Sequence, residues 1–223
     1  IIGGEALVRW QNDKEMIYPD QFIPVLEKNG YVIDVDNFIW NKVCACIKMM
    51  EDKGIEPVPI SVNVSRMHVY QEKFTENLKN MAGEYGIDPK YIPLEITESA
   101  FTKEEGSLFK KVQSLQGYGF KFSMDDFGSG YSSLGMLKSE RVDEVKIDKT
   151  FVDDIATDKG KVLLGNVIRM INELGIDMIA EGVETKEQAD FLKENGCMYA
   201  QGYYYYKPMP IEEFAKLLEN SAR

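Results

Sequence analysis

The sequence has few residues of the kinds that cross-link a chain or bind soft metals, with three cysteines and one histidine among its 223 residues. Cys44, Cys46 and Cys197 show no metal-ligand spacing and cannot all pair. We therefore expect small, buried thiols in a reduced compartment. No stretch approaches the length of about 18 apolar residues that a membrane span needs. These absences favour a cytoplasmic protein, or the cytoplasmic domain of a membrane-bound one.

Basic residues are also in the minority. The 26 lysines and arginines stand against 37 acidic residues, which gives a formal net charge of −11. A surface of this charge repels polyanions, so the chain is not expected to bind long nucleic acid. A small anionic substrate would need cations to screen its charge.

Short β-branched or apolar runs alternate with helical stretches along the whole chain. Strand-like runs such as Val58–Val64 and Ile92–Thr97 are followed by helical stretches such as Tyr70–Tyr85. This order predicts an α/β fold with a mainly parallel sheet, most simply a (β/α)₈ TIM-type barrel, with an open doubly wound sheet as the alternative. No linker divides the chain, so we expect one domain over residues 1–223, and its start at Ile1 suggests a piece of a longer protein.

Polar residues recur where the predicted strands end. Barrel enzymes carry their active-site residues at the carboxyl ends of the strands, so this pattern indicates a site. Burial of such groups is costly unless something binds them. The residues are Asn63, Glu95, Asp125, Asp126, Lys146, Glu181 and Gln201.

Converging carboxylates repel one another, and a divalent cation is their natural counter-charge. Carboxylate and amide oxygens without Cys or His favour Mg²⁺ or Mn²⁺. The adjacent Asp125 and Asp126 could each reach a different ion of a pair about 3.5–4 Å apart, the spacing used in two-metal phosphoryl hydrolysis. Taken singly, an Asp-Asp pair is most often a solvated turn and a strand-end lysine a surface charge. Their joint occurrence on successive strands argues for a site.

The motifs resemble those of the EAL family of cyclic di-GMP phosphodiesterases. GEALVRW, from Gly4 to Trp10, is similar to the signature that names the family. SVNVS, LEITES, DDFGSGYSSL, VKIDKTF, IAEGVET and AQGYYYYKPMP follow in the family's order and cover nearly the whole chain. The resemblance implies a TIM-type barrel with an antiparallel first strand, in a multidomain bacterial signalling protein. It also implies hydrolysis of cyclic di-GMP to linear pGpG by two-metal activation of water.

The resemblance further implies a role for each matching residue. Lys146 and Glu181 would be catalytic, with the division of labour between them left open, and Glu98 would anchor the loop Asp126–Leu134. The implied metal ligands are Glu5, Asn63, Glu95, Asp125 and Asp126. The implied substrate contacts are Leu7, Arg9 and Gln201.

The loop Asp126–Leu134 and the helix after it resemble the segment through which family members pair, so we expect a homodimer. One departure from the family pattern is Asp13, which stands where a proline is usual and puts the shape of the first loop in doubt. Outside the motifs, we expect Trp10 and Trp40 to lie in the core. We expect His68 to be structural or exposed, and the run Tyr203–Tyr206 to pack against barrel and helices.

Two other functions compete with the phosphodiesterase. An EAL domain that binds cyclic di-GMP without cutting it would serve as a receptor, but such receptors typically lack a ligand or the base, and none is missing here. A barrel enzyme acting on a sugar phosphate would explain the fold and the metals but not the full series of motifs.

Overall fold

Short parallel strands alternate with helices along the chain, as the sequence predicts. The computed structural model describes residues 1–12, 15–97, 105–128, 137 and 142–221. The strands are β1 Gly4–Ala6, β2 Trp10–Gln11, β3 Met16–Ile17, β4 Ile60–Asn63, β5 Leu94–Thr97, β6 Phe122–Phe127, β7 Glu144–Ile147, β8 Asp177–Ala180 and β9 Tyr199–Ala200. The α-helices are α1 Pro19–Asn29, α2 Val32–Asp52, α3 Phe74–Tyr85, α4 Glu105–Gln116, α5 Lys149–Asp153, α6 Asp158–Glu173, α7 Lys186–Glu194 and α8 Ile211–Ser221.

Internal contacts divide the chain into two compact units, and the division passes through β5. The first unit comprises Ile1–Glu95, Glu104–Lys121 and Met209–Arg223, and the second comprises Ile96–Lys103 and Phe122–Pro208. None of the helices that the structure describes is both long and apolar enough to span a bilayer.

In the first unit, β4 is paired on both sides. It runs parallel to β1, with Glu5 opposite Ser61, and parallel to β5, with Asn63 opposite Glu95. The prediction of an antiparallel first strand is therefore wrong for β1. The parallel direction has a structural consequence, because it brings the Glu5 side chain to within 3.4 Å of the Asn63 amide.

The core of the first unit is formed by α2 and the strands. Trp40, in α2, is 2% exposed, which confirms its predicted core position. Trp10 is 49% exposed, so its predicted burial is wrong. It lies in the two-stranded antiparallel ribbon of β2 and β3, where its ring meets the Phe22 ring edge-on at 5.5 Å.

In the second unit, β6, β7, β8 and β9 are parallel neighbours in chain order. The helices between them begin at polar caps that the sequence supplies. Asp148 accepts a hydrogen bond from the Thr150 amide at the start of α5, and Thr185 forms a capping box with Gln188 at the start of α7. The run Tyr203–Tyr206 is exposed throughout, which corrects the prediction that it packs against barrel and helices.

The three cysteines are buried, as predicted from the sequence. Burial raises the pKa of the Cys44 thiol to about 12 and the pKa values of Cys46 and Cys197 to about 11. These side chains therefore act as small core groups and not as nucleophiles.

Candidate metal and catalytic site

The four parallel strands of the second unit each supply polar residues at or just beyond their carboxyl ends. Asp125 and Asp126 lie in β6 and Lys146 lies in β7, while Glu181 directly follows β8 and Gln201 directly follows β9. Because neighbouring strands in this order are hydrogen-bonded, the side chains come from adjacent positions across the strands. This is the placement that a barrel active site requires.

A buried lysine connects the acidic residues of this group. Lys146 Nζ lies 2.7 Å from Glu181 Oε1 and 3.6 Å from Asp125 Oδ1, and the lysine side chain is 2% exposed. Gln201 Nε2 donates a hydrogen bond of 2.7 Å to the same Glu181 oxygen. A charge removed from water needs opposite charges and hydrogen bonds nearby, and both carboxylates provide them.

Three carboxylates of the second unit are close enough to share a cation. One oxygen each from Asp125, Asp126 and Glu181 lies within 4.8 Å of the others. Oδ1 of Asp125 is buried and has no hydrogen-bond partner among the described residues. An oxygen-only set of this kind fits a hard divalent ion such as Mg²⁺ or Mn²⁺.

The backbone of β6 is distorted at these carboxylates. Asp126 has φ of +56°, and among the described residues no other non-glycine residue has a positive φ. The pairing register with β7 also shifts between Met124 and Phe127. Left-handed backbone at a non-glycine residue costs on the order of 1 kcal/mol or more and is often retained at functional sites. Here the distortion lets consecutive aspartates contribute to one acidic group.

Glu144 lies two residues before Lys146 and therefore faces the same side of β7. Burial raises the pKa of its carboxyl, although the Ser123 hydroxyl and the Lys146 charge both oppose this rise. Ser123 Oγ donates a hydrogen bond of 2.7 Å to Glu144 Oε1. Glu144 is not predicted from the sequence, because a glutamate at the start of a strand carries no distinctive signal.

The first unit groups three other predicted ligands. Asn63 Nδ2 lies 3.4 Å from Glu5 Oε1, and Asn63 is opposite Glu95 in the register of β4 and β5. Glu95 is 1% exposed. In this orientation the Asn63 nitrogen turns toward Glu5, so its amide oxygen is the atom that could bind a metal.

Aromatic and polar side chains support Asn63 from within the first unit. Trp40 Nε1 donates a 3.0 Å hydrogen bond to the Asn63 carbonyl, and the His68 ring lies 4.5 Å from the Trp40 ring. His68 Nε2 lies 3.0 Å from Asp36 Oδ2. The same Asp36 oxygen accepts a hydrogen bond of 3.0 Å from the Ser65 backbone amide. His68 is buried, in agreement with its predicted structural role. Sequence reasoning missed Asp36, because a single acidic residue on a helix is usually exposed.

The predicted substrate contacts of the first unit lie near its surface. Leu7 is exposed. Arg9 donates a 2.8 Å hydrogen bond to the Val8 carbonyl, and its guanidinium lies 5.7 Å from the centre of the Tyr18 ring. The aromatic contact helps to hold the guanidinium in place.

Some predictions fall on residues that the structure does not describe. Glu98, Asp13 and most of the loop Asp126–Leu134 lie outside the described residues. Their roles stay predictions from the sequence motifs.

Known proteins resemble this chain over almost its whole length. It matches the EAL domain family over residues 1–208. It is 35% identical over 96% of its length to "Oxygen sensor protein DosP" of Escherichia coli, and 34% identical over 97% to "Probable cyclic di-GMP phosphodiesterase PdeG" of the same organism. The chain spans only 27% and 43% of these two proteins, respectively.

A solved structure agrees closely with the fold. The structure "PaMucR Phosphodiesterase, c-di-GMP complex" superposes with a TM-score of 0.91 at 31% identity, covering 96% of this chain and 87% of that one. This match confirms the predicted TIM-type barrel class. The chain belongs to the EAL domain family.

Proposed function

We propose that the chain is a phosphodiesterase that hydrolyses cyclic di-GMP to linear pGpG with Mg²⁺ or Mn²⁺. The observation that carries this proposal is the buried Lys146, whose ammonium lies beside Glu181 and Asp125 in an oxygen-only acidic group. Relatives named as cyclic di-GMP phosphodiesterases support the substrate. The series of EAL motifs supports it as well.

The carboxylates of the second unit fit the needs of phosphodiester hydrolysis. When bound, two divalent ions would polarise the phosphate and lower the pKa of water. In this proposal Asp125 and Asp126 would hold the ions. The left-handed backbone of Asp126 supports a ligand role, because strain of this kind is retained where function needs a side chain in an unusual direction.

Glu181 is the proposed general base, which accepts a proton from the attacking water. Its Oε1 is paired with the Lys146 ammonium and accepts a hydrogen bond from the Gln201 amide. These two contacts hold the carboxylate in one orientation before the substrate arrives. Lys146 positions the base and helps to balance the charge of the acidic group. Orientation of this kind accounts for a large part of enzymatic rate enhancement.

Glu5, Asn63 and Glu95 are proposed as further metal ligands, on the strength of the motif match. The contact between Glu5 and Asn63 and the burial of Glu95 are consistent with oxygens kept in place for a cation. Arg9 is proposed to bind a substrate phosphate through its planar fork, with Leu7 packing against the ligand. Gln201 would contact the substrate or water as well as Glu181.

We also propose that the chain forms a homodimer, because the loop Asp126–Leu134 resembles the pairing segment of the family. Sedimentation of the protein at micromolar concentration, run beside an activity assay, tests this proposal. A fully active monomer that stays monomeric across the concentration range would contradict it.

The decisive experiment for the function is incubation of the purified protein with cyclic di-GMP and Mg²⁺ or Mn²⁺, followed by chromatography for pGpG. Formation of pGpG supports the phosphodiesterase. Tight binding of cyclic di-GMP without pGpG would instead support a receptor. The variant Asp125→Asn serves as a control, because it keeps the shape of the side chain and removes a ligand charge.

A further inference from the structure

The short helix α5 lies directly after β7 and touches the turns that follow two other strands of the second unit. It begins two residues beyond Ile147, and the Asp148 side chain caps it through the Thr150 amide at 2.9 Å. Two of its side chains, Lys149 and Phe151, occupy space beside glycines. Gly182 directly follows the proposed base Glu181, and Gly128 lies two residues beyond the proposed metal ligand Asp126.

Phe151 contacts the turn after Asp125 and Asp126. A Cβ atom built on Gly128 would lie 1.7 Å from Cε2 of the Phe151 ring, far inside van der Waals contact. Gly128 also has φ of +100°, where side chains are disfavoured. The aromatic ring thus lies directly against the backbone, two residues beyond Asp126.

Lys149 contacts the turn after Glu181 in the same way. A Cβ atom on Gly182 would lie 2.4 Å from Lys149 Cγ, so the aliphatic part of the lysine covers this backbone. The Lys149 ammonium lies 2.9 Å from Glu184 and 3.2 Å from Asp153. The lysine therefore ties the turn after β8 to α5 by packing and by charge.

We infer that α5 is a positioning element with two separate contacts: Phe151 fixes the aspartate pair, and Lys149 fixes Glu181. This inference rests on the proposed function and deepens it. Turns after strands are softer than the strands themselves, and an error of about 1 Å in a reacting group can cost about 100-fold in rate. The two contacts lie on one rigid helical turn but act on different residues of the site.

The separation of the two contacts gives the test. In the full chain, Phe151→Ala removes the ring from Gly128, and Lys149→Ala removes the cover from Gly182. Phe191→Ala changes another half-buried phenylalanine of the second unit. Lys161→Ala changes a lysine whose side chain is 43% exposed, as that of Lys149 is, and which pairs only loosely with Glu187 at 3.8 Å.

Hydrogen–deuterium exchange measures how firmly each turn is held, and it does not depend on enzymatic activity. In Phe151→Ala, peptides that cover Asp125–Gly128 should exchange about tenfold faster, while those that cover Glu181–Thr185 keep their wild-type rates. Lys149→Ala should give the reverse pattern. The two control variants should change neither region.

Mn²⁺ titration and kinetics should separate the two contacts in the same way, with metal affinity depending on Phe151 and turnover depending on Lys149. Phe151→Ala should raise the Mn²⁺ concentration at half-saturation about tenfold, as seen when a support of a metal ligand is lost. Lys149→Ala should leave Mn²⁺ binding within about twofold and lower kcat about tenfold at saturating metal. Mn²⁺ binding is measured without substrate, by the electron paramagnetic resonance signal of the free ion.

Equal effects of both variants on both regions, in proportion to a lower thermal midpoint, would overturn the inference, since that pattern reports general destabilisation. Unchanged exchange in both variants would overturn it as well. A wild-type protein that makes no pGpG would contradict the proposed function alone, because the exchange and Mn²⁺ patterns would still test the role of α5.

Discussion

Lys146 and Glu181 form a buried ion pair in which Nζ lies 2.7 Å from Oε1, and only 2% of the lysine side chain is exposed. Asp125 Oδ1 lies 3.6 Å from the same ammonium. Two carboxylates therefore share one cation of the chain itself, which leaves the acidic group with a net negative charge. Such a group can accept divalent ions while its geometry is already fixed.

The first prediction concerns this lysine. Lys146→Met keeps the length of the side chain but removes its charge, so hydrolysis should fall by about 100-fold or more because Glu181 loses its orienting partner. Mn²⁺ binding should become tighter, since one positive charge has left the neighbourhood of three carboxylates. Kinetics and Mn²⁺ titration measure the two effects. Weaker Mn²⁺ binding, with Lys161→Met unchanged, would contradict this account of the lysine.

The second prediction concerns the proposed base. Glu181→Gln keeps a carbonyl oxygen that can accept hydrogen bonds from Lys146 and Gln201. The glutamine side chain cannot take up a proton at neutral pH. The rate should fall on the order of 100-fold while cyclic di-GMP is still bound. Turnover and equilibrium binding should be measured on the same preparation. If turnover stays near wild type, Glu181 is not the base.

The third prediction concerns the metal. Ca²⁺ should bind, and raise the thermal midpoint of unfolding, without supporting hydrolysis. Its bonds of about 2.3–2.6 Å and its looser coordination hold oxygens farther away than the bonds of about 2.0–2.1 Å that Mg²⁺ makes. Activity removed by a chelator should return with Mg²⁺ or Mn²⁺ and not with Ca²⁺. Robust pGpG formation in Ca²⁺ alone would be incompatible with this prediction.

The sequence was most informative where chemistry and strand periodicity coincide. Asp125, Lys146 and Glu181 could be predicted as neighbours, because charged residues at the ends of apolar runs are rare and parallel strands end at one edge. The orientation of β1 could not be predicted from three residues without their partners. The exposure of Trp10 was also missed, because burial depends on neighbours that composition does not reveal.

Contacts across the chain were the other part that sequence reasoning missed. The five-residue α5 is too short to show a helical period, so neither its existence nor the contact of Phe151 with Gly128 could be anticipated. The pair of Asp36 and His68 likewise joins α2 to a turn much farther along the chain. Motifs mark the proposed site residues, while the residues that support them become visible only in the fold.

The fourth prediction concerns that supporting pair in the first unit. His68→Leu leaves the Asp36 carboxylate with one partner fewer and removes the ring beside Trp40, so the free energy of unfolding should fall by about 2 kcal/mol. Combination with Asp36→Asn should cost less than the sum of the two single changes, by about 1 kcal/mol, because the two side chains interact. Urea unfolding of the four proteins completes the cycle. Strict additivity would show that the 3.0 Å contact contributes nothing.

The fifth prediction concerns Glu144, whose carboxyl has a pKa raised by burial above its ordinary value of 4.5. Well below pH 4.5 the carboxyl is protonated in both the folded and the unfolded chain, so it costs no stability. As the pH rises through the folded pKa, ionisation of the half-buried group lowers the free energy of unfolding. The glutamine of Glu144→Gln resembles the protonated carboxyl and can still accept a hydrogen bond from the Ser123 hydroxyl. The variant should therefore be more stable than wild type at pH 7–8. Its advantage should vanish below about pH 4.5, whereas the exposed change Glu173→Gln should show no such trend in thermal unfolding across this range. A variant less stable than wild type at pH 8 would mean that the attraction between Glu144 and Lys146 outweighs the cost of burial.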